Sequence, residues 1–260
     1  LGIAYFHVDA FTGRLFAGNP AGVCLLTRWL PDATLLAIAA ENNLAETAFV
    51  VRSGPSCELR WFTPKLEVDL CGHATLAAAH VLFHHDGWSE PAIGFATRQA
   101  GALTVRRQDA RLVLDFPSRP ASPCPPPPEL VQALGREPAH VARARDYLAV
   151  FEHEDDVLAL TPDLAMLRRL DALGVIVTAP GRDCDFVSRF FAPAAGIDED
   201  PVTGSAHCTL IPYWSARLGR RSLHARQRSA RGGELFCTDR GERVDIAGHA
   251  VTYSAGTIHV

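Results

Sequence analysis

The chain has 260 residues, of which 48% are hydrophobic and 21% charged, with a formal net charge of −4. That composition belongs to a folded globular protein, built as one large fold or two halves, and excludes a disordered, fibrous or strongly basic nucleic-acid-binding chain. No stretch approaches the roughly 20 apolar residues of a membrane span, and the seven cysteines, odd in number and without a C-x-x-C pair, predict reduced thiols rather than a disulfide framework or zinc ribbon.

Taken in chain order, Leu1 to Gly13 lacks a basic segment followed by an apolar run, so a cytoplasmic location is expected. Asp32 to Glu41 carries apolar residues at helical spacing, with Asp32 expected as N-cap after Pro31 and Asn42-Asn43 as the stop. Residues 45–52, with Thr47, Phe49, Val50 and Val51, predict a strand, which places Glu46 at its beginning. Gly72 to Phe83 is apolar nearly all round and predicts a helix buried on every side. Short β runs follow at Leu103–Val105 and Leu112–Phe116. In residues 117–128 (PSRPASPCPPPP) repeated proline removes N–H donors and fixes φ, so neither helix nor central strand continues there. That segment is expected to be a linker between a first domain, 1–116, and a second, 129–260. Beyond it, Val175–Thr178 and Val251–Ser254 predict strands, and Gly204–Leu218 a helix that Pro212 should kink and Gly219 end. Arginines gather from Arg217 to Arg231 with no nucleic-acid motif beside them, which reads as a solvated face, with an anion or partner contact as the alternative.

The same order of features recurs on both sides of the proline segment. Phe62-Thr63-Pro64 leads to Cys71-Gly72-His73-Ala74 and an apolar run, then to Gln99 and a β run. Phe191-Ala192-Pro193 leads to Thr203-Gly204-Ser205-Ala206 and an apolar run, then to Gln227 and Gly233-Glu234-Leu235. The interval from phenylalanine to the Cys/Thr-Gly step is nine residues in the first half and twelve in the second, a difference that a loop insertion explains. A helix's first turn offers unpaired N–H groups and a positive dipole end, and glycine admits close approach, so two such starts about a shared cleft would hold a carboxylate. Taken singly, each is equally a tight strand-to-helix turn.

Five ordered segments carry a resemblance: Val8-Asp9-Ala10-Phe11-Thr12, Gly18-Asn19-Pro20-Ala21-Gly22-Val23, Asn43 to Val50 (NLAETAFV), Leu70-Cys71-Gly72-His73-Ala74-Thr75, and Glu199 to Ala206 (EDPVTGSA). Along essentially the whole chain the sequence resembles the PhzF-like proteins of phenazine biosynthesis, on the diaminopimelate epimerase-like fold. The resemblance implies an α/β (α+β) architecture of two pseudo-symmetric domains, each a β-barrel-like sheet around a central helix, usually a homodimer. It also implies a cofactor-free isomerase site between the halves, of the trans-2,3-dihydro-3-hydroxyanthranilate isomerase type. Glu46 then matches the general acid/base, His73 and Asp200 the polar residues beside it, and Gly72, Gly204 and Ser205 the substrate-holding turns.

Elementary chemistry agrees in kind. A carboxylate among apolar neighbours such as Leu44, Ala45, Ala48 and Phe49 can take a proton from carbon beside an unsaturated or carbonyl system and return it elsewhere. Without the family, Glu46 reads as a surface glutamate. His73 reads as a neutral polariser or a capping residue, and Asp200, within Asp198-Glu199-Asp200, as a helix cap. Two-base epimerases of this plan carry a cysteine at both helix starts, whereas here Cys71 is matched by Thr203, which disfavours a cysteine-pair racemase and leaves packing or substrate contact for Cys71. Ala45 replaces a serine common among the relatives, which removes one substrate hydrogen bond.

His80 and His84 have the i, i+4 spacing of a metal pair but lack the glutamate of H-E-x-x-H, and no metal site is expected. Hydrolase-elbow, dinucleotide and P-loop motifs are absent. The reading is therefore a cofactor-independent isomerase acting on a small carboxylated, cyclic or unsaturated metabolite. Its rivals are a non-catalytic metabolite-binding protein on the same fold and a one-thiol epimerase using Cys71.

Overall fold

The structure, a computed structural model, describes residues 2–54 and 56–260. The chain divides into two compact units: the first comprises the described residues up to Phe116 together with Ile246–Val260, and the second Pro117–Asp245. The first unit contains β1 (Gly2–Ala10), β2 (Asn19–Leu26), α1 (Asp32–Asn42), β3 (Glu46–Ser53), β4 (Ser56–Phe62), β5 (Glu67–Val68), α2 (Gly72–His84), β6 (Ala92–Thr97), β7 (Ala102–Gln108) and β8 (Arg111–Pro117). The second runs through β9 (Ser122–Pro123), α3 (Pro128–Leu134), β10 (His140–Arg143), β11 (Tyr147–Val150), α4 (Glu154–Leu158), α5 (Leu164–Leu167), β12 (Val175–Pro180), β13 (Phe186–Phe191), α6 (Gly204–Leu218), β14 (Ser222–Gln227) and β15 (Gly233–Asp239). β16 (Arg243–Gly248) carries the chain out of it, and β17 (Ala250–His259) belongs to the first.

The repeat read from sequence is a repeat of strand pairing. In the first unit β1–β2 is antiparallel, β2–β3 parallel, β3–β4 antiparallel, β4–β6 parallel and β6–β7 antiparallel. In the second, β10–β11, β11–β12, β12–β13, β13–β14 and β14–β15 follow the same order. Parallel neighbours require a crossover. In the first unit α1 and α2 supply the two crossovers, and in the second α4 with α5, and α6, do so. The extra residues before α6 form a 3-10 turn, Pro193–Ala195, closed by an Ala192↔Ile197 bridge.

α2 is buried from Gly72 to Phe83 and packs against β1, β2, β3 and β17, which is why its sequence has no polar face. α6 is buried over its first turns and exposes its last. It runs through Pro212, which has no N–H to give the Cys208 carbonyl one turn back. The Arg119 N–H takes that carbonyl instead, at 2.9 Å, and so ties the proline-rich segment to the helix.

Several local expectations change. The proline segment is no free linker: it lies in the second unit, Ser122–Pro123 pairs with β10, and Pro128 opens α3, where a missing N–H costs nothing. Residues 246–260 do not complete the second half. β17 runs antiparallel to β1 from Gly2↔His259 to Ala10↔Ala250, and pairing across so long a sequence separation leaves no local signal. Asp32 is the first residue of α1, not its cap. Its carboxylate is drawn to the Arg60 guanidinium (2.9 Å), which Glu67 also grips through both oxygens (2.7 and 2.6 Å).

Candidate active site

Glu46 is the first residue of β3, paired with Ala21 of β2, and is buried. His73, the second residue of α2, sets Nε2 3.1 Å from Glu46 Oε2, an ion-pair distance without hydrogen-bond geometry, since that oxygen is buried with no hydrogen-bond partner among the described residues. Cys71, in extended conformation at the N-cap, sets Sγ 3.5 Å from His73 Nδ1 and 4.0 Å from Nε2. The Asn19 amide lies 3.1 Å from Nδ1. Asn19 opens β2 directly after Gly18, whose φ of +66° suits glycine and where a Cβ would run into the Ala10 carbonyl. Sequence reasoning assigned Asn19 no role; its signal was an amide buried at the head of an apolar strand.

These contacts fix the charges. Burial pushes the Cys71 thiol up to about 11, the Glu46 carboxylate adds to that, and His73 opposes it. Cys71 is therefore a thiol near neutrality, although it stands at a helix start. Burial alone would push the His73 imidazole down, but the Cys71 sulfur and the Glu46 carboxylate outweigh it and hold the ring well above the ordinary histidine value. The direction of that shift favours the protonated ring beside the Glu46 carboxylate. That direction is opposite to the neutral ring expected from the helix dipole, because the Glu46 carboxylate lies 3.1 Å away.

The remaining residues from the sequence reading gather in the second unit, at the start of α6. Thr203 Oγ1 donates to Asp200 Oδ2 at 2.5 Å, and the Thr203 N–H donates to Gln227 Oε1 at 2.8 Å. The Gln227 amide reaches back to the Asp200 carbonyl (2.7 Å) and to Thr203 Oγ1 (3.1 Å). Gln227 thus fixes the Asp200–Thr203 loop that aims the first turn of Gly204 and Ser205. Arg145, in the β10–β11 turn, donates to Asp146 Oδ2 (3.0 Å) and to Ser205 Oγ (3.2 Å). Nothing in its sequence surroundings marked Arg145.

The description "Phenazine biosynthesis-like protein" (PhzC-PhzF) fits residues 8–256 of this chain. The chain belongs to that family. An uncharacterized isomerase of Pseudomonas aeruginosa is 57% identical, with 99% of each chain covered. A human phenazine biosynthesis-like domain-containing protein is 41% identical over 97% of this chain and 98% of its own. A crystal structure of a PhzF-family protein from Enterococcus faecalis superposes with a TM-score of 0.97 at 46% identity, covering 100% of both chains. A hydroxyproline epimerase of Agrobacterium vitis shares the fold, with a TM-score of 0.62 at 12% identity over 99% of this chain and 92% of that one. The family's architecture in this chain is thus the mixed, sheet-dominated diaminopimelate epimerase-like fold expected from the resemblance.

Two further features of this family member bear on its chemistry. His80 and His84 stack ring on ring, 4.4 Å between centroids, and His80 Nε2 turns to Thr252 Oγ1 at 2.9 Å. All seven cysteines are free thiols, and among the described residues no helix is long and apolar enough to cross a membrane.

Proposed function

We propose that this protein is a cofactor-independent isomerase that moves a proton within a small carboxylated, cyclic or unsaturated metabolite, with Glu46 as the group that takes and returns it. The observation that carries this reading is the buried Glu46–His73 pair, 3.1 Å apart at the start of α2. The Glu46 carboxylate removes a proton from carbon, the electron pair enters the adjacent conjugated system, and the carboxylic acid delivers the proton to another carbon. His73 holds Glu46 in place and balances its charge. The free N–H groups of the first turn of α2, at Gly72 and His73, suit a substrate carboxylate and the charge that develops on it. Ser205 and Gly204 offer the same chemistry at α6, where Asp200, Thr203 and Gln227 set the loop. The human and bacterial relatives, named as isomerases or phenazine biosynthesis-like proteins, support the reaction class, and the dihydro-hydroxyanthranilate rearrangement is one member of it. A homodimer and a cytoplasmic location complete the proposal, the former checked by sedimentation.

The deciding experiment incubates the protein in D2O with candidate cyclic and unsaturated carboxylates and follows deuterium entry by NMR. The expected result is exchange that Glu46→Gln reduces by about 10²- to 10⁴-fold. Binding without exchange would replace the isomerase with a metabolite-binding protein. Exchange that survives Glu46→Gln but vanishes in Cys71→Ser would replace it with a one-thiol epimerase, a reading that the high pKa of Cys71 disfavours.

A further inference from the structure

Glu46, Cys71 and His73 are, among the described residues, the one group of three or more histidine, cysteine and acidic side chains whose ligand atoms lie close enough to share an ion, all within 4.8 Å of one another. All three are buried. Their donors are one thiol, one imidazole and one carboxylate, a mixed set of the type that takes zinc. Zinc bonds of about 2.0–2.3 Å in tetrahedral array separate neighbouring donors by roughly 3.3–3.6 Å. The distances here, 3.1 Å from Nε2 to Glu46 Oε2 and 4.0 Å from Nε2 to Cys71 Sγ, bracket that range.

Two more observations fit an ion. The Asn19 side-chain amide lies 3.1 Å from Nδ1, and with its oxygen rather than its nitrogen turned to the ring it accepts the Nδ1–H of a histidine that coordinates through Nε2. Charge also balances. A thiolate and a carboxylate together neutralise a divalent cation beside a neutral imidazole, so the filled site buries no net charge. Filling it sends the thiol proton, and any proton on His73 Nε2, to solvent and forms one bond from each side chain to the cation, with no redox change.

We propose that Glu46, Cys71 and His73 form a binding site for a thiophilic divalent cation of the zinc class, and that its occupancy occupies Glu46 and shuts off proton transfer. Such a cation would be an inhibitor of the reaction proposed above, not its cofactor. The binding claim stands apart from that reading, because a metal–thiolate bond forms whether or not the protein turns over any substrate.

The test titrates cadmium(II) into the metal-free protein and follows the ultraviolet charge-transfer absorption of the cadmium–thiolate bond. A Cys124→Ser/Cys184→Ser background removes the two thiols that are only partly buried. The expected result is one cadmium per chain in that background, a band lost in Cys71→Ser, and binding weakened by about 10-fold or more in Glu46→Gln with the band retained. Circular dichroism and thermal melting establish that the variants are folded. No band in the background protein, a band that survives Cys71→Ser, or equal affinity in Glu46→Gln would each overturn the site. If cadmium binds as described while no carboxylate exchanges deuterium, the cation site stands and the isomerase reading falls.

Discussion

The starts of α2 and α6 occupy the same place in the two repeats, after an antiparallel pair and before a parallel crossover, yet they carry different chemistry. At α2 a thiol, a histidine and a carboxylate meet. At α6 the matching threonine has its hydroxyl committed to Asp200, and Ser205 sits under Arg145. The strand registers show why only one unit carries a carboxylate at this position. Thr47 pairs with Phe62 and Val175 with its counterpart Phe191, so the residue matching Glu46 is Gly174, which has no side chain. The helix histidines diverge as well. His207, one turn into α6, gives Nδ1–H to the Thr203 carbonyl at 2.8 Å, and burial takes it down to about 4, with that carbonyl opposing. His73, facing a carboxylate, moves the other way. A duplicated scaffold thus supplies two similar backbone cradles, and only one of them carries the buried carboxylate to which we assign proton transfer.

The sharpest way to break this comparison is Glu46→Gln, which should cost about 3–5 kcal/mol in transition-state stabilisation, read as the fall in deuterium exchange. Next comes the pH dependence of folding, followed by denaturant titration at several pH values. For His207 the unfolded chain binds the extra proton between about 6.5 and 4, so stability falls by about 3 kcal/mol as pH drops through that window, and His207→Asn should flatten the slope. The sign reverses for His73, whose contribution is full below about 6.5 and is lost as pH rises through its higher folded-state value. Adding a side chain at the position that matches Glu46, with Gly174→Ala, should destabilise by about 2 kcal/mol in thermal melts, because the new Cβ would meet the Phe190 ring. The smallest effect is expected from Pro212→Ala. The new N–H competes with Arg119 for a carbonyl that is already satisfied, so the propensity gain shrinks to about 1 kcal/mol or less.

Much of this was legible in the sequence, and the failures share a cause. The helices at 72–84 and 204–218 and the strand at 46–53 announced themselves because periodicity and glycine placement are local signals. Cys71 and His73 were legible as neighbours in sequence. Their charge state was not, since it depends on Glu46 arriving from β3. Asp32 looked like a cap until Arg60 from β4 claimed its carboxylate. Asn19 and Arg145 act on residues 54 and 60 positions away, which no window of sequence reveals. The basic stretch near the C-terminal end resolves into pairs, Arg220 with Asp185, Arg226 with Asp183 and Glu234, and Arg228 with Glu154.

The strand that returns to lie along β1 makes the two units unequal on the ribosome. Residues 117–245 are contiguous, so every residue that the second unit needs is present once Asp245 has been made. The first unit, although translated earlier, must wait for 246–260, and until then one edge of β1 lacks its β17 partner. Joining strands so far apart along the chain is entropically slow, and an open strand edge invites pairing with other chains. Vectorial synthesis therefore favours the later-made unit as the one that folds first, with β1–β17 docking as the closing step.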